Sequence, residues 1–270
     1  ERMLFDITLF SDDSKIQRKP KGHLYLYPLI AIAAMLAIVF VMDLPHMHKP
    51  KQQLSQTIRI PAGQRAQMDL PDGSVVWLNS QTTLTYDEDF GKKDRKVTLD
   101  GEAYFEVAHN KEIPFYVQTE NIKVQVTGTK FDVCSYKGSN SFIARLIEGS
   151  INLLTNSAKE EKTITSLTKG KYFSMENGKY RTGEMSSNNA LAWMQGIYYF
   201  DDVPFKELLD KIALYYNYKI TVKNPKILEN YRCTGKFKDL DGIEHILKVI
   251  QKDHPFKYDI DNEHNKITIE

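Results

Sequence analysis

Few residues in this chain have types and spacings that could do chemistry. Asp72, Glu102 and Glu106 are carboxylates of the kind that cleave a glycosidic bond when two of them flank it, one as acid and one as base or nucleophile. Glu102 and Glu106 fall on one strand face and alternate with core-type residues, so the expectation is solvated carboxylates rather than a catalytic pair. His46 and His48 could begin a metal site, but no further ligand lies near them in sequence, and they read as linker residues. Gly128-Thr129-Lys130 lacks the glycine-rich run that cradles a phosphate. Cys134 and Cys233 cannot form a disulfide framework or a thiolate zinc site by themselves, and they read as two separate buried thiols. The chain holds no G-x-S-x-G, H-E-x-x-H or P-loop motif. The expectation is a protein that is not an enzyme, with no cofactor and no metal.

What must position these residues is read from composition and pattern. The chain has 270 residues, with 36 Lys and Arg against 35 Asp and Glu, a formal charge of +1. That balance argues against a direct nucleic-acid binder, which normally carries a basic excess. One segment departs from the average. Residues 24–42, LYLYPLIAIAAMLAIVFVM, carry no charge, and as a helix they would reach roughly 28 Å, close to the hydrocarbon thickness of a bilayer. Tyr25 and Tyr27 suit an interface. No small-residue cleavage site follows the run, which favours a single-pass anchor over a cleaved signal peptide. Lys15, Arg18, Lys19 and Lys21 precede it, which places the N-terminus in the cytoplasm and the long C-terminal part outside. Residues 1–23 are then a cytoplasmic remnant. Met3, Leu4, Ile7 and Phe10 recur at helical spacing and could be the last helix of a domain whose beginning is missing, or part of a disordered tail.

Residues 43–56 form a polar linker. Residues 57–185 are expected to form the next domain, and from 57 to about 171 the apolar residues alternate with polar ones, as in Ala66, Met68 and Leu70 or Ala103, Phe105 and Val107. Turn residues such as Pro71-Asp72-Gly73 separate the runs. This predicts an all-β domain of sandwich, jelly-roll or β-helix type. A polar stretch at Ser186-Ser187-Asn188-Asn189 marks a boundary. Residues 196–270 then predict the order β-α-β-β-α-β-β, a small α+β domain. Its helices carry Phe205, Leu208, Leu209 and Ile212, and Ile243, Ile246, Leu247 and Ile250. Asp201-Asp202 are expected to cap the first helix, with Pro204 in its first turn, and Asp241 with Glu244 the second.

The run Ala62-Gly63-Gln64-Arg65-Ala66-Gln67-Met68-Asp69-Leu70-Pro71-Asp72-Gly73-Ser74-Val75-Val76-Trp77-Leu78-Asn79 resembles the opening of the periplasmic domain of FecR-family anti-sigma factors. The likeness continues through Gly101-Glu102-Ala103-Tyr104-Phe105-Glu106-Val107, Pro114-Phe115-Tyr116-Val117, Gly128-Thr129-Lys130-Phe131-Asp132-Val133 and Leu146-Ile147-Glu148-Gly149-Ser150-Ile151. Trp193, Tyr215-Tyr216-Asn217 and Thr234-Gly235-Lys236-Phe237 resemble the secretin/TonB short N-terminal-like domain. The motif aromatics Trp77, Phe105, Phe115 and Phe131 read as core, and Gly73, Gly101, Gly128 and Gly149 as turn or bulge positions.

The resemblance implies a regulator in the inner membrane with its C-terminal domains in the periplasm. It implies an extracytoplasmic-function sigma factor as the cytoplasmic partner, and the signalling domain of a TonB-dependent outer-membrane transporter, carrying an iron or glycan signal, as the periplasmic one. A membrane protease is a further partner of some members. Met3, Leu4, Ile7 and Phe10 are the candidate sigma-side contacts. Tyr231, Arg232, Thr234, Lys236 and Lys238 are the candidate transporter-side edge strand, since exposed sheet edges accept added strands. The alternative is a membrane-tethered glycan- or peptidoglycan-binding β module, which predicts an exposed aromatic platform from Tyr86, Tyr104 and Tyr116.

Overall fold

The computed structural model describes residues 31–38, 54–92, 94–156, 161–185 and 188–270. Residues 31–38 form a helix, α1, whose Ile32, Met35, Leu36 and Ile38 are exposed. The rest of the apolar run, its basic flank, Met3 to Phe10, His46 and His48 lie outside the described residues. Among the described residues no helix is long and apolar enough to cross a membrane.

Residues 53–270 form one compact unit with two hydrophobic cores. Its first part is the expected all-β domain, starting at Ser55 rather than after residue 56. The strands are β1 (Ser55–Arg59), β2 (Ala66–Asp69), β3 (Val75–Leu78), β4 (Thr83–Asp87), β5 (Arg95–Glu106), β6 (Phe115–Gln118), β7 (Ile122–Val126), β8 (Lys130–Ser135), β9 (Ser141–Glu148), β10 (Ser150–Thr155), β11 (Thr163–Thr168), β12 (Lys171–Glu176) and β13 (Lys179–Glu184).

The long strand β5 joins two halves of a curled sheet. Its first half pairs with β4 and β6, its second with β3 and β8. The outer strands β7, β10 and β11 extend one half, and β9, β12 and β13 the other. Pairing is antiparallel apart from β5–β6. The bend in β5 falls at Gly101, whose φ is +133°. A Cβ there would collide with Thr82, so glycine is required by both conformation and space.

The inward residues alternate as the period of two demands. Val76, Leu84, Val97, Phe105, Phe115, Phe131, Phe142 and Leu146 are fully buried in the first core, and the Phe105 and Phe131 rings stack at 5.1 Å. Trp77 departs from its expected core position. It faces outward from β3, packs on Tyr104 at 5.4 Å and joins the second core.

The second part follows the expected order: β14 (Ile197–Pro204), α2 (Phe205–Tyr216), β15 (Lys219–Val222), β16 (Arg232–Lys238), α3 (Gly242–Asp253), β17 (Tyr258–Asp261) and β18 (Lys266–Ile269). β14 pairs with β16, and β15-β18-β17 form a second small sheet. The amphipathic faces of both helices fill the core with Phe205, Leu208, Ile212, Ile246 and Leu247.

The capping expectations are corrected. Asp201 and Asp202 lie within β14 at a register shift, and Pro204 is itself the N-cap of α2, with no side-chain bond. Asp241 precedes α3 without capping it; its carboxylate instead accepts the Lys238 N–H at 3.0 Å. In both cases the strand or short turn before the helix takes the polar group first.

Candidate functional site

The two domains meet where the outer face of β3, β5, β8 and β9 is covered by the residue 188–195 turn, β14 and α2. The seat is built first from backbone. The last carbonyls of a helix have no intrahelical partner, and at the end of α2 the β domain supplies them. Gly63 N–H donates to Tyr215 O at 2.9 Å, Ser80 Oγ donates to the same oxygen at 3.1 Å, and Gln81 Nε2 donates to Leu214 O. The Tyr215 ring stacks on Tyr198 of β14 at 4.2 Å, and Tyr136 OH donates to Ser80 O at 2.8 Å. At the rim, Arg65 pairs with Asp239 at 2.5 Å.

Beneath this seat lie three charges. Arg145 of β9 pairs with its cross-strand neighbour Asp132 of β8 at 2.5 Å and stands 3.8 Å from Glu102 of β5. Asp132 is fully buried and Glu102 is 4% exposed. Asn79 Nδ2 donates to Glu102 at 2.6 Å. Burial pushes the Glu102 carboxyl up to about 7, and the charge of Asp132 adds to this; Arg145, the Asn79 bond and Lys211 of α2 oppose it. Burial also raises Asp132, against the pull of Arg145. Trp193 lies close enough to lower Asp132, yet neither its Nε1 nor Asp132 Oδ1 closes a hydrogen bond. A cleft of about 280 Å³ opens beside the cluster, walled in part by Tyr172, Trp193, Tyr199 and Lys211.

Solvated carboxylates were expected at 102 and 106, and only the second is near that. Glu102 is buried because a second domain covers the face that alternation turns away from the β core. Glu106 is part-exposed and pairs with Lys130 at 3.3 Å. Asp72 lies in a different place, paired with the buried Arg95 at 3.0 Å. Cys134 and Cys233 are free thiols in separate domains; Cys233 is buried and Cys134 only partly so. The aromatic platform is not there: Tyr86 and Tyr104 are buried, at 7% and 5% exposure, and Lys123 covers the part-exposed Tyr116 ring at 4.3 Å.

The candidate edge strand is better placed. β16 pairs with β14 alone among the described strands, and Arg232, Thr234, Lys236 and Lys238 are exposed on it. Arg232 is engaged by Asp202 at 2.7 Å. Tyr231 departs from the expectation. It lies before the strand, gives its carbonyl to Phe205 N–H and stacks on His254 at 3.9 Å, so it is not an edge contact. Leu240, just past β16, is 92% exposed. The sigma-side residues Met3, Leu4, Ile7 and Phe10 lie outside the described residues.

Sequence reading missed Asp132, Arg145, Ser80, Gln81 and Lys211. Asp132 and Arg145 carried a faint signal, as opposite charges at outward strand positions, but their being neighbours depends on a register that sequence does not print.

Residues 56–152 match the family model described as FecR protein, and residues 197–269 the model described as FecR, C-terminal. None of the curated proteins compared matches the chain significantly. Two crystal structures of a candidate anti-sigma factor from Parabacteroides distasonis share the fold. The one at 2.50 Å has a TM-score of 0.68 at 25% identity, over 80% of this chain and 98% of that one. The one at 1.65 Å has a TM-score of 0.68 at 24% identity with the same coverage.

Proposed function

The chain belongs to the FecR family of anti-sigma factors, and from that premise we propose that it is a single-pass relay in the inner membrane. The uncharged run 24–42 is its anchor, and the eight described helical residues within it, apolar and exposed, support that reading. Its cytoplasmic stretch meets an extracytoplasmic-function sigma factor. Its outer unit meets the signalling domain of a TonB-dependent transporter, and the pathway controls transcription of uptake genes. A membrane protease is a further candidate partner. The relay needs no catalytic step. Of the three candidate carboxylates, Asp72 is paired with Arg95 and Glu106 with Lys130, and Glu102 is buried at the domain junction beside Arg145 and Asn79.

The observation that carries the transporter reading is the one-sided strand β16. Its free edge offers backbone N–H and C=O groups, and its exposed Lys236 and Lys238 favour an acidic extended partner. The test is binding of the full chain in detergent micelles to the isolated signalling domain of a TonB-dependent transporter from the same organism. Binding at micromolar concentration or tighter is expected, weakened by Lys236→Glu with Lys238→Glu. No binding at micromolar concentration would remove the transporter from the proposal.

A further inference from the structure

We propose that the Glu102–Asp132–Arg145 cluster is a proton-operated latch that holds the C-terminal domain on the outer face of the β domain. This concerns how the two domains stay together, and it stands whichever partner β16 takes.

Three observations lead there. First, the cluster lies under the seat: its acids are buried only because the 188–195 turn, β14 and α2 cover them, so separating the domains returns them to water. Second, its charges do not balance within the β domain. Two carboxylates face one guanidinium, and the next cation, Lys211, comes from α2 across the junction, where it is already paired with Glu207 at 2.9 Å. Third, the packing around it is unsaturated, with Asp132 Oδ1 and Trp193 Nε1 both buried and unbonded. A buried ionic group with incomplete partners costs more to hold than one with full partners.

One proton resolves the imbalance, and geometry says where it goes. Asp132 holds Arg145 at 2.5 Å and keeps its charge; Glu102, at 3.8 Å, takes the proton. The other groups facing Glu102 are Asn79 from the end of β3, Cys134 from β8, Tyr136 after β8, Lys211 and Tyr215 from α2, and Tyr198 from β14. Burial raises Cys134, Tyr136 and Tyr215, and pushes Tyr198 up to about 12, so these stay neutral near pH 7.

The sign follows. Closed, Glu102 titrates near 7; opened into water, it returns toward its ordinary 4.5. The closed form binds a proton that the open form releases, so closure is strongest at low pH and weakens as pH rises from about 4.5 through 7. Between pH 5.5 and 8.5 the closing constant drops about 30-fold by this linkage.

The test uses the full chain in detergent micelles, spin-labelled at Tyr180→Cys on β13 and Leu240→Cys beyond β16, both exposed positions. The native thiols are buried or part-buried with raised pKa and label slowly. The distance between labels is followed through a urea titration at pH 5.5 and at pH 8.5. The expected result is a separation midpoint that is lower at pH 8.5. Glu102→Gln, which keeps a neutral hydrogen-bonding group, removes most of that fall. Lys211→Met, at a part-exposed site that leaves the fold intact, deepens it. Equal midpoints for the unmutated cluster at the two pH values would overturn the latch. So would a Glu102→Gln midpoint that falls as far as the parent's, or a Lys211→Met midpoint that falls no further.

Discussion

Two buried ionic groups in this molecule differ in how they are completed. Inside the β domain, Arg95 meets Asp72 at 3.0 Å and spends its remaining donors on the carbonyls of Ile113, Ala108 and Asn110. Asp72 in turn accepts from Ser74 N–H at 2.9 Å and Ser74 Oγ at 2.8 Å. Charges cancel one to one, and all the partners belong to one domain. At the junction, two carboxylates share Arg145, an acceptor and a donor stay unbonded, and the extra cation comes from the other domain. The first group is a staple that fixes loops 71–74 and 108–113 against β5. The second is sensitive to whatever changes its charge or its cover.

The comparison breaks most sharply at Arg95. Arg95→Met leaves Asp72 buried without its cation and three carbonyls without donors. Breaking a buried pair from one side costs about 3–5 kcal/mol, and urea denaturation of the full chain in micelles should show a loss of that size. A loss under about 1 kcal/mol would mean that the staple is ornamental and the contrast false.

Arg145→Met should cost about 3 kcal/mol at pH 8, the low end of that range, and visibly less at pH 5.5. Without the guanidinium both carboxylates are pushed further above their ordinary values by burial and by each other. Protons then stabilise the folded form at low pH, and that stabilisation is lost as pH rises. The same urea series at the two pH values checks it; a pH-independent loss would make Arg145 a packing residue rather than a charge partner.

Glu102→Gln sharpens the comparison in the other direction. Its effect on stability at pH 8.5 should be more favourable than at pH 5.5 by about 2 kcal/mol, because the parent alone carries the burial cost of the ionised carboxylate. The staple offers no such gain, since neither of its members has charge to spare.

Much of this was legible beforehand, and the illegible part has one cause. Alternation located the inward residues Ala103 and Phe105 of β5 and Phe131 and Val133 of β8, and helical spacing located Leu208, Ile212, Ile246 and Leu247. The element order of residues 196–270 followed from turn residues and a change of period. Alternation, however, reports only which face a side chain takes relative to its own sheet. Glu102 and Trp77 are outward, as their positions require, yet both are covered, because elements far downstream, from residue 188 onward, close over them. Asp132 and Arg145 become a pair only through the β8–β9 register, and that pairing carries a shift at Lys130/Phe131 that no local pattern announces. Tyr104 is covered in the same way, against Trp77 and the second core, whereas Tyr86 points inward with Leu84 into the β domain's own core.

The smallest effect tests whether the junction is held by charge at all. Ser80 is fully buried and donates to Tyr215 O at 3.1 Å, completing the C-terminal end of α2 from the other domain. It also accepts the Gly63 N–H at 2.9 Å. Ser80→Ala removes one donor and one acceptor without disturbing the cluster beneath, and should loosen the seat by about 1 kcal/mol. Neither a hydroxyl nor a backbone carbonyl titrates near neutrality, so the loss should be the same at pH 5.5 and pH 8.5. The urea midpoint of domain separation, read between the same two spin labels, measures it at both. If the Ser80→Ala loss instead varied with pH as the parent's does, the pH response would belong to the whole seat, and the contrast between a saturated staple and a titrating latch would dissolve. If it is constant while Glu102→Gln removes the pH response, the neutral bonds set how tightly the domains hold and the carboxylate sets when they let go.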